Sequence, residues 1–267
     1  VDFLSAAYFL RYSNSMQTVR AIDSNANNAT DVAQSSQPVV KSLDNWNAQL
    51  AARDSDDNVF VAKWPGALGN SLSVSVCPQS AADSAFTNWI YKGSFDAAPG
   101  TSTYATGVGA TNDEMHVAVV DEDGLFTGTR GSILETFPFI SKASNAKSPD
   151  GSSNYAVETI NGKSEYVWMA GFGAAGQFDA DAGSAAVSGK DYSSEVRDVR
   201  TTSLANGTDT SSLSAGNIAT GFDTLEDKDT ITVDFLIAPG MSSRSDQTTV
   251  VNDLVSTAGT TRKDCVV

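Results

Sequence analysis

One histidine and two cysteines are all that this chain of 267 residues offers to imidazole or thiolate chemistry. His116 lies in an apolar stretch between Met115 and Val117, where a strand histidine facing its neighbours or solvent is the simplest reading. Cys77 and Cys265 both sit in apolar, strand-like runs and read as buried structural thiols rather than a disulfide. Basic residues are scarce, 17 against 32 acidic ones, for a net charge of −15. A chain this acidic repels phosphate backbones and lacks the basic footprint of a nucleic-acid binder, so neither free nucleic acid nor an anionic membrane surface is an expected partner. No run of eighteen apolar residues is present, so no membrane-spanning helix is expected. No basic stretch leading into an apolar one reads as a secretion signal.

What is present is an ordinary apolar fraction, 40%, enough to bury a sizeable core in one large domain or two moderate ones. Residues 2–12 read as a helix with Phe3, Ala7 and Leu10 on one face, followed by a strand over 18–22. Residues 23–42 are polar and aperiodic and read as a loop. Asp44 is placed to cap a short helix carrying Trp46 and Leu50. Residues 58–64 form a strand buried on both faces, closed by the Pro65-Gly66 turn. Leu72, Val74 and Val76 alternate with serines, the pattern of a half-buried strand.

Further on, residues 115–120, a Glu122-Asp123-Gly124 turn and a return strand over 125–129 read as a hairpin. Residues 133–140, 155–160 and 166–170 are further strand segments, and 171–189 is a small-residue loop. Near the end, 231–238 is a strand broken by Pro239-Gly240. A helix capped by Ser245 or Asp246 follows, with Val250, Val251, Leu254, Val255 and Ala258 as its stripe and Gly259 as its stop. Val266 and Val267 open another strand, which makes a βαβ unit with parallel pairing. The chain stops within that strand and begins at Val1, and the expectation is a fragment cut at both ends.

Motifs that could carry chemistry read blandly. GFGAAG at 171–176 matches a dinucleotide fingerprint, but no helix pattern opens within it and no acidic strand end follows at the right distance. Residues 23–28 resemble a calcium loop with Asn28 where glycine is needed and Gln34 where a bidentate glutamate is needed. Asp121, Glu122 and Asp123 read as a solvated turn, with at most weak divalent binding. Asn28 and Asn206 head glycosylation sequons that have no meaning without secretion. No catalytic, cofactor-binding or metal-binding residue is assigned, and no enzyme activity is expected.

Several segments, taken in order, resemble the contractile tail sheath proteins of long-tailed bacteriophages (myoviruses). They are AAYFLRYSNSMQTVRAID (6–23), the strand–turn–strand 59–76 containing WPGALGNSLSVSV (64–76), and the hairpin around 121–124 followed by Glu135-Thr136-Phe137. After these come Ser203-Leu204 with Gly207, the helix segment 214–226, the strand TITVDFLIAPG (230–240) and the helix that runs into DCVV (264–267). Ala205-Asn206 departs from the family's glycine-rich loop. Between Asp23 and Val59 there is no room for the extra surface domain of larger members.

The resemblance implies a mixed α+β and α/β fold. Residues 1–23 and 241–267 would form a split α/β inner portion with the βαβ unit, 24–58 a linker and short helix, and 59–240 a β-rich outer domain with hairpins. It also implies a virion protein, assembled in the host cytoplasm into hexameric rings stacked around an inner tail tube, with a baseplate and a tail terminator as partners. Contraction would drive the tube through the host envelope for genome delivery. Terminal arms that add strands to neighbouring subunits are expected beyond Val267, so the fragment alone should be monomeric. An extracellular adhesin or carbohydrate-binding β module is the alternative, and a hydrolase built on the βαβ unit is a third reading that lacks a nucleophile elbow.

Overall fold

The computed structural model describes residues 2–32, 38–55, 58–79, 84–173, 178, 181–193 and 199–267. The chain forms two compact units, residues 27–209 and residues 1–26 with 210–267. The boundary falls at 209/210 rather than at 240 because residues 215–238 build one core with the helix that follows them. Ile218, Leu225 and Leu236 are buried with Val250 and Leu254. Residues 27–31, read as linker, belong to the larger unit. Thr30 bridges both Val61 and Ala205, and the Asn28 side chain bonds Val40 and Ala62.

The fold is mixed α and β, with helices and two antiparallel sheets. In chain order the elements are α1 (Asp2–Phe9), α2 (Leu43–Ser55), β1 (Phe60–Ala62), β2 (Leu72–Pro78), α3 (Ser84–Asn88), α4 (Thr103–Val108), β3 (Glu114–Asp121), β4 (Ser132–Ser141), α5 (Ala156–Lys163), β5 (Val167–Met169), β6 (Arg200–Ser203), α6 (Ala215–Asp223) and α7 (Arg244–Ser256). The main sheet of the larger unit has the order β4-β3-β2-β6, and β1 pairs with β5. No described helix is long and apolar enough to cross a membrane.

The alternating strand at 72–76 is not half-buried: β2 is buried at all seven positions. Its apolar face packs with Val117, Val119 and Ile160. Its serine face is covered too, by Trp89 and Phe95, and the serines are acceptable there because they are bonded. The Trp89 Nε1–H donates to Ser75 Oγ (2.8 Å), and Ser75 Oγ shares a hydrogen bond with Thr201 Oγ1 (2.7 Å).

The hairpin's return strand is β4, ten residues from Ser132, not 125–129. Residues 122–131 are a loop whose amides turn inward. Phe126 N, Thr127 N and Thr127 Oγ1 all donate to Asp121 Oδ2 (3.0, 2.8 and 2.9 Å), so they are unavailable to a ladder. Gly124, at φ 78°, admits no side chain, since a Cβ there would lie 2.8 Å from Arg130 N. Residues 156–160 belong to helix α5 rather than to a strand, and Tyr155, its N-cap, makes a single bridge with Ser141.

In the smaller unit, residues 18–22 form no strand, because Val19 and Ala21 lie against Gly221 of α6, a helix rather than a strand edge. Residues 231–238 form no strand, and the parallel pairing expected of the βαβ unit is reduced to a single bridge between Phe235 and Val266. Leu236 N donates to Val266 O (2.8 Å) and Val266 N to Asp234 O (2.9 Å), and α7 connects the two. Ser243, not Ser245 or Asp246, caps α7 by accepting from Asp246 N (3.0 Å). The helix runs past Gly259 as a wide turn, Thr257–Arg262. Buried Arg262 draws it on, donating to the carbonyls of Leu225 and Ile231 (2.8 Å to the latter) and to Asp264. Likewise α2 is capped by Ser42, whose Oγ accepts from Asn45 N (3.2 Å), while Asp44 lies within its first turn.

Candidate assembly surface

Of the residues singled out in the sequence, His116, Cys77, Asp121 and Asn28 are buried in the fold. His116 is fully buried, with Nε2 2.8 Å from Ala97 O and Nδ1 3.0 Å from Phe139 N. Both ring nitrogens are therefore engaged with the backbone. Cys77 is buried and its thiol is pushed up to about 12 by burial, which leaves it protonated at neutral pH. Cys265 is a half-buried free thiol in the other unit.

Asp121 is not solvated: it is completely buried, and its second oxygen accepts from Ser71 Oγ (2.8 Å). Burial pushes its carboxyl up, but the hydrogen bonds from Thr127, Ser71 and Phe126 outweigh that and hold it at about 2. Asp123 is exposed and paired with Arg130. Asp23 is held at about 2, first by the Ser212 amide, and serves as a turn-forming acceptor for Asn25 and Ser211 as well. Gln34 lies outside the described residues, as do 174–176 of the glycine motif, whose Phe172 is a core residue set edge-on against Phe178. Asn28, head of the first sequon, is fully buried with both side-chain atoms bonded. Among the described residues no group of three or more His, Cys, Asp or Glu side chains could hold a metal ion.

A second buried acid went unread in the sequence. Asp113 accepts from Ser102 N and Ser102 Oγ (2.8 Å each) and from Ser141 Oγ, and Ser102 in turn caps α4. Serines scattered at 102 and 141 give no sequence signal for such a cluster, because only the fold brings them together.

The surface is where the molecule has unspent binding capacity. Among the described residues, eleven of the seventeen large hydrophobic side chains that stand exposed belong to the smaller unit. They include Tyr8, Tyr12, Phe235, Ile237 and Val266, and Tyr12 is 91% exposed. Phe235 and Ile237 alternate with buried Leu236, so one face of this bridge-forming segment is solvated and apolar.

In the larger unit, Trp64 and Leu68 stand about half-exposed on the loop 63–71. That loop is rigidly built. Gly66 N donates to Asn27 O, Ala67 N to Asp209 Oδ1 (3.0 Å), and Asn70 exchanges two hydrogen bonds with the Gly207 backbone (2.7 and 3.0 Å). A Cβ on Gly207 would lie 2.5 Å from Gly66 O and 3.1 Å from Ala29 N, both backbone atoms. Gly207→Ala is therefore expected to destabilise the chain by about 1–3 kcal/mol, the usual cost of overpacking, read as a lower urea midpoint at unchanged slope.

No family model matches the chain. It is similar to the protein named tail sheath protein of Salmonella phage ViI, with 30% identity over 132 residues, 49% of this chain and 18% of that relative. The match thus spans less than a fifth of the relative's length.

Proposed function

We propose that this chain is a structural part of a phage tail sheath, a non-enzymatic subunit that assembles with other sheath subunits. The carrying observation is the similarity to a protein named tail sheath protein. The order of the strand–turn–strand at 59–76, the hairpin and the C-terminal βαβ connection supports the same reading, as do the engaged states of His116, Cys77 and Asp121. On this reading the subunits form stacked hexameric rings around an inner tube and contract to drive that tube through the host envelope. The finished sheath belongs to the virion tail, with the baseplate and a tail terminator at its ends.

Exposed apolar residues of the smaller unit and the Trp64 loop are the surfaces available for subunit contacts, since rigidly held tryptophans make strong interface anchors. The test is negative-stain electron microscopy of the product of the whole reading frame, expressed alone. Tubes or stacked rings are expected, and Trp64→Asp should shorten or abolish them while leaving the circular dichroism spectrum intact. Dispersed single particles from the unaltered product would sink the sheath reading.

A further inference from the structure

Strand β4 carries a bulge opposite His116. Met115 pairs with Ile140 and Val117 with Phe137, so Pro138 and Phe139 together face the single residue His116. Phe139 sits at φ 53°, a conformation that costs free energy in a bulky residue. Proline has no amide hydrogen, and the one amide the bulge possesses, that of Phe139, donates to the side-chain Nδ1 of His116 (3.0 Å) instead of to a ladder carbonyl. Nε2 lies 2.8 Å from Ala97 O, a pure acceptor, so it must carry the proton and Nδ1 must be bare. The ring is thereby fixed as one neutral tautomer.

Aromatic rings enclose it. Phe95 is stacked at 4.5 Å, Phe139 stands edge-on at 4.6 Å, and Phe86 and Trp89 lie at 5.7 and 6.3 Å. The titratable and charged groups on the elements around it are few among the described residues. Cys77 lies opposite on β2, and Glu114 is two residues back on β3 with its carboxylate taken by Gly100 N. Tyr91, Lys92 and exposed Asp96 lie on the covering segment, and β4 supplies none over 137–141. Stacking and the backbone of Met115 would compensate an imidazolium in part, but at Nδ1 the ring faces a donor, the Phe139 amide.

We propose that His116 is an acid-released latch on the β4 bulge. Neutral, it holds Phe139 in place; protonated at Nδ1, it opposes the Phe139 amide and lets residues 137–140 move. Those residues, Phe137, Pro138 and Ile140, form one wall of an open groove of about 460 Å³ whose other side is Asn154, Thr159 and Lys163. The latch therefore couples acid to the shape of the sheet's outer edge, and it stands independently of the sheath reading. Burial lowers the affinity of this ring for a proton relative to a free histidine, which places release on the acid side of 6.5.

The experiment is residue-resolved amide hydrogen exchange on the whole chain from pH 7.5 to 4.5, corrected for intrinsic exchange, with the His116 ring titration followed in parallel. Protection of Phe139 and Ile140 should fall at least tenfold as the ring protonates, while amides of β2 keep theirs. In His116→Gln, whose amide can both donate to Ala97 O and accept from Phe139 N, that step should vanish. Asp31, a buried carboxyl raised to about 6 by desolvation, titrates in the same window but with opposite sign: it takes up a proton on folding, so acid stabilises it. It is present in both proteins and cancels in the comparison. Flat protection at Phe139, an equal loss throughout the sheet, or an unchanged step in His116→Gln would each overturn the latch. Should the variant fail to fold, the wild-type exchange decides alone.

Discussion

Trp168→Ala should lower the stability of the chain by about 3–5 kcal/mol, the range for truncating a fully buried large aromatic. Trp168 lies parallel to Trp46 with ring centroids 5.4 Å apart, and the pair is sealed by Val40, Val61 and Ala170. Its indole N–H donates to Lys63 O (3.3 Å), and Lys63 Nζ sits 4.3 Å above its ring. Truncation therefore removes a stacked partner, a hydrogen bond and a cation contact at one point. It also empties space in the cluster that joins Trp46 and Leu50 of α2 to Val61 of β1. Urea unfolding followed by tryptophan fluorescence reads the loss. Trp168→Phe should recover about half of it, because stacking returns without the indole N–H. A cost under 1 kcal/mol for Trp168→Ala would mean that this subsidiary core is not structural.

Asp121→Ala is the second large effect, expected at about 3 kcal/mol, because it leaves the Ser71 hydroxyl and the amides of Phe126 and Thr127 buried or turned inward without an acceptor. The carboxyl also sets a pH dependence. Its folded value of about 2 lies below the ordinary 3.8, so its contribution is complete above about pH 4 and is lost as the pH falls through 2. Asp121→Asn should keep part of the stability, since one amide oxygen still accepts, and should flatten the acid limb of the stability curve. An acid limb identical to wild type in Asp121→Asn would show that the charge is not what holds the loop. The loss in Asp121→Ala should appear first in residues 122–131, where the carboxylate holds the amides of Phe126 and Thr127.

These two sites mark how far the residues alone could be read. Local alternation and breakers located β2, the Pro65-Gly66 turn, β5 and α7, because each depends on contacts a few residues long. The same alternation misjudged β2's serine face, which is buried only because residues 84–97 fold back and Trp89 reaches Ser75. The turn at 122–124 was legible, but the length of the loop after it was not. Asp121 captures amides up to six residues away, and its other oxygen is held by Ser71, just before the partner strand β2 and fifty residues earlier in the chain. Trp46 was assigned to a helix face correctly, yet its stacking partner lies more than a hundred residues on.

By itself, the sequence determined the mixed fold class, the positions of several strands and helices, the scarcity of histidine and cysteine and the net negative charge. These follow from composition and short-range periodicity. The tertiary structure alone decided that residues 210–240 join the termini rather than the larger unit, that α7 overruns Gly259 because Arg262 is buried beneath it, and that the single histidine secures a bulge in the neighbouring strand. Each of these depends on groups far apart in the chain meeting in a space from which water is excluded. There, satisfying a buried polar atom outweighs local preference.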